Sequence, residues 1–404
     1  MEDLEEVITY SREALTLYTP GHPRCWVSLN NLANAVLTRY KSLGRNEDLK
    51  EAITNHCKAL TLCPLGNPRR SMSLNNLASA ILIRYEQLGG MEDLNEVIKY
   101  NREALTLRPL GHPDRFSSLN NLASVILTCY EHSGRLEDLE EVITYHREAL
   151  TLCSPGHPNY SSSLNNLANA VYTRHEQLGR MEDLDEAITN HREALTLRPP
   201  GHPNRSSSLN NLASALDVRY MQCGMMEDLD EVITYYRAAL ALCPPGHPDH
   251  SSSLNNLANA VLSRYEESGR MEDLEEVITN YREALSLCPP GYLHHSMFLD
   301  NLAIALHARY KQSGTMEDLE EGIKYHREAL TLRPPGHTSR SKSLYNLANA
   351  VLTRYEKLGG TEDLEEGVTC HSQALSLCSP GHLRRSTYLN SLAIAVHTQY
   401  KQSG

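Results

Sequence analysis

The sequence predicts an all-α solenoid of antiparallel helix pairs with a 45-residue repeat, and three observations carry that reading. A tetrad x-Glu-Asp-Leu starts at Met1, Asn46, Met91, Leu136, Met181, Met226, Met271, Met316 and Thr361, always 45 residues apart and without an insertion. Each copy holds two apolar stripes of helical period, and nothing alternates with the period of two that a strand requires. Glycine and proline punctuate both stripes at fixed places. Strict spacing lets every copy make the same contacts with its neighbours, so nine copies over residues 1–404 are expected to form a single stacked array.

One helix of each copy carries the sequence SLNNLA, unchanged at Ser28, Ser73, Ser118, Ser163, Ser208 and Ser253. In the first copy Leu29, Leu32, Ala33, Val36, Tyr40 and Leu43 recur at helical spacing, a single buried stripe. Gly44, like Gly89, Gly134 and Gly179, follows as a left-handed terminator. This is the amide helix. Asp48 with Glu51 three residues on, repeated at Asp138/Glu141 and Asp273/Glu276, reads as an acidic capping box opening the second, acidic helix. Its buried face is Leu49, Ala52, Ile53, His56, Ala59 and Leu60, and it stops at CPLGNP or RPPGHP, where proline forbids continuation.

Composition excludes several functions. The net charge of −12 is spread without a basic block, so nucleic acid is not expected as a partner. No apolar run reaches the roughly 18 residues of a membrane span, so no membrane partner is expected, and the start MEDLEEVITY is not a signal peptide. None of the ten cysteines forms a C-x-x-C pair, and at one repeat position Cys63, Cys153, Cys243, Cys288 and Cys378 exchange with Arg108, Arg198 and Arg333. A position that accepts arginine is neither a disulfide nor a metal ligand, and reduced thiols in a cytoplasmic protein are expected. His22, His112, His157, His202 and His247 in the GHP segments read as turn residues, and His294–His295 has no companion at ligand spacing. No nucleophile, base and orienting group come together, and no phosphate loop occurs, so the chain is expected to be non-enzymatic, without metal or cofactor.

The stretch from Asn30 to Pro64 resembles the tetratricopeptide repeat. Leu32 and Ala33 match the leucine–small step of its first helix, and Ala52, Ala59 and Pro64 match the small, small and proline positions of its second. The usual unit is about 34 residues, and the longer copy here resembles the kinesin light chain subtype and, more closely, fungal arrays that precede CHAT protease domains. The resemblance covers the whole chain. It implies a right-handed superhelix whose amide helices line a concave groove and, as an alternative function, a place as the sensor or regulatory array of a larger CHAT-protease-type signalling protein, whose protease would then lie beyond Gly404.

On a helical wheel with Leu29 at zero, Asn31 falls at about 200°, Asn34 at about 140° and Thr38 at about 180°, opposite the buried stripe. Asn30, at about 100°, flanks that line. The resemblance places the line in the groove. Its members are Asn31, Asn76, Asn121, Asn166, Asn211, Asn256, Asn301 and Asn346 in one row, and Asn34, Ser79, Ser124, Asn169, Ser214, Asn259, Ile304, Asn349 and Ile394 in the other. An uncharged amide offers a donor and an acceptor, as a peptide backbone does, so the expected partner is an extended protein or peptide segment. Ile304 and Ile394 break the polar pattern, and Asp300 replaces a flanking asparagine. The alternative is a structural module. Near-identical copies with apolar ends at Leu389, Leu392 and Val396 could stack end to end into self-associated filaments.

Overall fold

The structure is a computed structural model that describes residues 2–18, 22, 24–247, 249–289, 291–292, 294–379 and 384–403. Among these the regular structure is entirely helical. The chain forms two compact units, Met1–Pro199 and Pro200–Gly404.

The first unit runs α1 Glu2–Thr16, α2 Cys25–Leu43, α3 Asn46–Leu62, α4 Arg70–Leu88, α5 Met91–Thr106, α6 Arg115–Ser133, α7 Leu136–Thr151, α8 Tyr160–Leu178 and α9 Met181–Thr196. The second runs α10 Arg205–Cys223, α11 Met226–Leu242, α12 His250–Ser268, α13 Met271–Ser286, α14 His295–Ser313, α15 Met316–Thr331, α16 Arg340–Leu358, α17 Thr361–Ser376 and α18 Arg385–Ser403. Even-numbered helices are amide helices and odd-numbered ones acidic. Within each unit an amide helix packs most closely on the acidic helix that follows it.

The turn inside each pair is set by glycine. Gly44 sits at φ 67°, and its N–H donates to Tyr40 O at 2.7 Å, closing the last turn of α2. The acidic helix that follows has no side-chain cap; Arg45 occupies that position. The capping box expected at Asp48 therefore does not form. Arg39, nine residues upstream, takes the carboxylate with both ends of its fork, Nε to Oδ2 at 3.0 Å and Nη2 to Oδ1 at 2.7 Å. A bidentate charged pair outcompetes a neutral backbone donor. In the third copy Cys129 replaces this arginine, and Asp138 turns to Ser133 Oγ at 3.1 Å and Arg135 at 3.2 Å.

The apolar stripes are buried as expected, with Leu32, Ala33 and Val36 against Leu49, Ala52 and Ile53, but Leu43 is 44% exposed at its helix end. Successive acidic helices are joined by arginine–glutamate pairs 39 residues apart, Arg12–Glu51 at 2.8 Å and Arg282–Glu321 at 2.9 Å among them. These are half exposed, worth about 0.2–1 kcal/mol each. Stability therefore rests on the apolar seams.

Candidate functional site: the amide face

The wheel separates Asn30 from Asn31 by about 100°, and the fold gives them opposite environments. Asn30 is 2% exposed. Its Oδ1 accepts from His56 Nδ1 at 2.7 Å, and its Nδ2 donates to Ser73 Oγ of the next amide helix at 3.5 Å. Asn120 turns inward to Phe116 O at 3.0 Å, and Asn255 is 3% exposed. Asn30 thus ties neighbouring copies together and, like Asn255, is closed to solvent, whereas Asn75, Asn120, Asn165 and Asn210 are half-buried and Asn390 is exposed.

Asn31 and Asn121 are exposed, and Asn76, Asn166, Asn211, Asn256, Asn301 and Asn346 are half-buried. In the second row Asn34, Ser79, Ser124, Asn169, Asn259 and Ile394 are exposed, while Ser214, Ile304 and Asn349 are half-buried. Some are already engaged. Asn301 Nδ2 donates to Asn255 Oδ1 at 2.9 Å, and Asn259 Oδ1 accepts from Tyr281 Oη at 2.6 Å. Ser214 meets Tyr236 Oη at 3.1 Å. Tyrosines of acidic helices thereby hold part of the second row from below.

In the second unit four amide helices enclose a cavity of about 540 Å³, open on one side. It joins Ile304 of α14, Asn346, Asn349 and Leu352 of α16, and Ser391 and Ile394 of α18, with His326 and His371 of the acidic helices beneath. His307 lies on the wall, its Nε2 3.1 Å from Thr353 Oγ1. Burial, then nearby Lys311, pushes His307 down to about 4.

Beside this cavity is a buried charge cluster whose full extent the sequence reading missed. Asp300, 3% exposed, accepts from His326 Nδ1 at 2.9 Å and from Ser343 Oγ at 2.8 Å, and it pairs with Arg333. Burial alone would raise this carboxyl, but His326 and Arg333 outweigh it and hold it below the usual range. The signal was available in the Asn-to-Asp change at 300 and the arginine at 333. Arg108, 3% exposed, has instead Ser71 Oγ at 3.2 Å and Ser118 Oγ at 2.5 Å, and burial lowers its pKa.

The GHP histidines do hold turns. His112 and His157 Nδ1 each accept the N–H two residues on, at 3.1 Å, and His22, His202 and His247 do the same. His295 Nδ1 bonds Cys288 O at 2.8 Å, replacing the arginine that elsewhere, as at Arg70, reaches Cys63 O at 3.0 Å. All ten cysteines are free, and Cys63, Cys153, Cys243, Cys288 and Cys378 are buried.

No family model and no curated protein matches the chain. Solved structures do. Human IFIT1, as a dimer with m7Gppp-AAAA, aligns over 98% of this chain and 77% of its own, with 14% identity and a TM-score of 0.51. A monomeric IFIT1 mutant with Gppp-AAAA aligns over 96% and 75%, with 15% identity and a TM-score of 0.52. The nearly identical TPR-like repeats of a Podosopora anserina kinesin light chain protein align over 54% of this chain and 97% of theirs, at 21% identity and a TM-score of 0.38.

The IFIT1 structures overturn one expectation. The absence of a basic block had removed nucleic acid from the partners, yet the same fold carries capped RNA in IFIT1. Charge clustering along a sequence is a poor guide in a repeat array, because one face collects one side chain from each of many copies. Among the described residues no helix is long and apolar enough to cross a membrane. With its paired helices, terminating glycines and small-residue seams, the chain folds as a tetratricopeptide-repeat array.

Proposed function

We propose that the chain is a non-enzymatic scaffold that holds an extended peptide segment of a partner protein along the Asn31 row. One observation carries the reading: an uncharged amide recurs in the amide helices from Asn31 to Asn346, exposed at Asn31 and Asn121 and half-buried in the others, while its neighbour in the Asn30 row is committed to the interior in the first copy. Packed helices lie about 8–10 Å apart, and an extended chain advances about 3.3 Å per residue. Each amide therefore serves about one peptide residue in three. Net hydrogen-bond contributions of about 0.5–1.5 kcal/mol each place four amides near 2–6 kcal/mol, less than the roughly 8 kcal/mol of a micromolar complex. The row sets direction and register, and side-chain anchors must supply the rest.

One array of nine copies across both units belongs to this proposal, since the interval from Met181 to Met226 is the same 45 residues as every other. A cytoplasmic setting and a place beside a CHAT-type protease are proposed on the sequence resemblance. The test is selection of random 12-residue peptides on the immobilised chain, with titration of a capped RNA oligonucleotide in parallel. Enriched peptides whose binding Asn121→Ala weakens support the scaffold. Saturable RNA binding with no enriched peptide would replace it.

A further inference from the structure

The cavity of the second unit is built where two sequence rules are broken together. Gly367 lies inside α17, at a position that holds Ala52, Val97, Val142, Ala187, Val232 and Val277 in earlier copies and glycine again at Gly322 of α15. Interior glycine costs about 1 kcal/mol against alanine, with no local benefit. Its consequence lies across the helix interface. A Cβ at 367 would stand 2.6 Å from both Cγ and Cδ2 of Leu352. The bare backbone lets Leu352 sink onto α17, and Leu352 lines the cavity. Ile304 and Ile394 face the same space from α14 and α18, where other copies carry Asn or Ser.

The second broken rule is polar. His371 is fully buried, and neither ring nitrogen has a hydrogen-bond partner; the Nδ2 of Asn346 also lacks one. Buried polar atoms are nearly always paired, and each orphan costs about 1–3 kcal/mol. In the first copy the equivalent His56 is held by Asn30. Here that partner position is Tyr345, whose ring packs 5.3 Å from the imidazole while its hydroxyl meets Ser391 Oγ at 3.3 Å. The structural partner has been removed, and the unpaired imidazole lies beneath the cavity with both nitrogens closed to solvent.

Charge gives a direction. Glu266 of α12 stands on the cavity rim, with Lys311 and Glu356 beyond it. Asp217, half-buried on α10, is the counterpart of His307 and Leu352. Burial raises the Asp217 carboxyl to about 6 and also raises Glu266, which Glu267 raises further. Glu266 on the rim and Asp217 on the corresponding face of the preceding amide helix make this end of the cavity acidic.

We infer that this cavity is a specificity pocket for one bulky apolar side chain of an extended peptide that carries a basic residue on its α10 side. The inference rests on the peptide reading above, which supplies the backbone contacts. Asn346 and Asn349 line the pocket and lie in the two amide rows, so a backbone held along them carries its side chain past Ile304, Leu352 and Ile394.

The experiment selects random 12-residue peptides on the full chain and reads the recovered sequences. A single Leu, Met or Phe-class residue at a fixed place, with Lys or Arg on one side of it, is the expected result. Ile304→Asn with Ile394→Asn puts back the amide that Asn34 carries; Ile394 is 68% exposed and Ile304 half-buried, and a circular-dichroism melt of the variant checks that it folds. The double variant is expected to bind the selected peptide about tenfold more weakly and to lose the apolar preference on reselection. Gly367→Ala, which forces Leu352 upward, is expected to weaken binding several-fold with no residue of the groove rows changed. Enriched peptides with no apolar preference, or unchanged binding in both variants, overturn the pocket and leave the scaffold standing. No enriched peptide at all overturns the scaffold itself. Capped RNA binding that the double variant abolishes assigns the cavity to a nucleobase and overturns the pocket as a peptide site.

Discussion

Replacing two adjacent asparagines of α2 separates structural amides from functional ones. Asn30→Ala removes the 2.7 Å bond to His56 and the 3.5 Å bond to Ser73. It strands a buried imidazole whose Nε2 already lacks a partner. A lost hydrogen bond of about 0.5–1.5 kcal/mol and an orphaned group of about 1–3 kcal/mol sum to roughly 2–4 kcal/mol. For a unit the size of Met1–Pro199 that is a fall in Tm of roughly 5–15 °C. Asn31→Ala removes an exposed amide from a helix and substitutes a better helix former, so the melt is expected to hold steady or rise slightly. Circular-dichroism melts of the two variants make the comparison. Equal destabilisation by both would refute the division of labour, since Asn31 would then be packing glue like its neighbour.

Acid is expected to loosen the array. Burial pushes His56, His146, His191 and His371 down to about 4, so the folded state holds them neutral while the unfolded chain protonates them near 6.5. Stability is then full above about pH 6.5 and is lost as pH falls toward 4, by about 2 kcal/mol per histidine at pH 5; urea midpoints at pH 7 and pH 5 measure it. Asp300→Asn should cost about 3–5 kcal/mol in a urea melt, because Arg333 and His326 lose a buried carboxylate. Gly44→Ala should cost about 1–2 kcal/mol through backbone strain at φ 67° alone, since a Cβ there meets nothing within 4 Å.

Most of the fold is legible in the sequence because local rules and the 45-residue period agree. Leu32, Ala33 and Val36 mark one seam, Leu49, Ala52 and Ile53 its partner, and Gly44 the turn between them. What was not legible depends on a third helix. Asn30 stands at the edge of the apolar stripe on the wheel, yet the next amide helix closes over it through Ser73. Asp48 has the pattern of a cap, but Arg39 comes from the preceding helix to claim it. The cavity follows from Gly367 and Leu352, 15 residues apart on different helices, a relation that no single periodic pattern encodes. The role of charge failed for a similar reason, since a repeat surface is assembled across copies and not along one.

The central claim is that the open amide row binds a peptide backbone, and a triple variant tests it most directly. Asn121→Ala, Asn166→Ala and Asn211→Ala together are expected to weaken binding of a selected 12-residue peptide at least tenfold by fluorescence anisotropy. The thermal melt should fall less per substitution than that of Asn30→Ala, since Asn121 is exposed and Asn166 and Asn211 are half-buried where Asn30 is sealed. Unchanged affinity, or a melt that drops as far per substitution as that of Asn30→Ala, would contradict it.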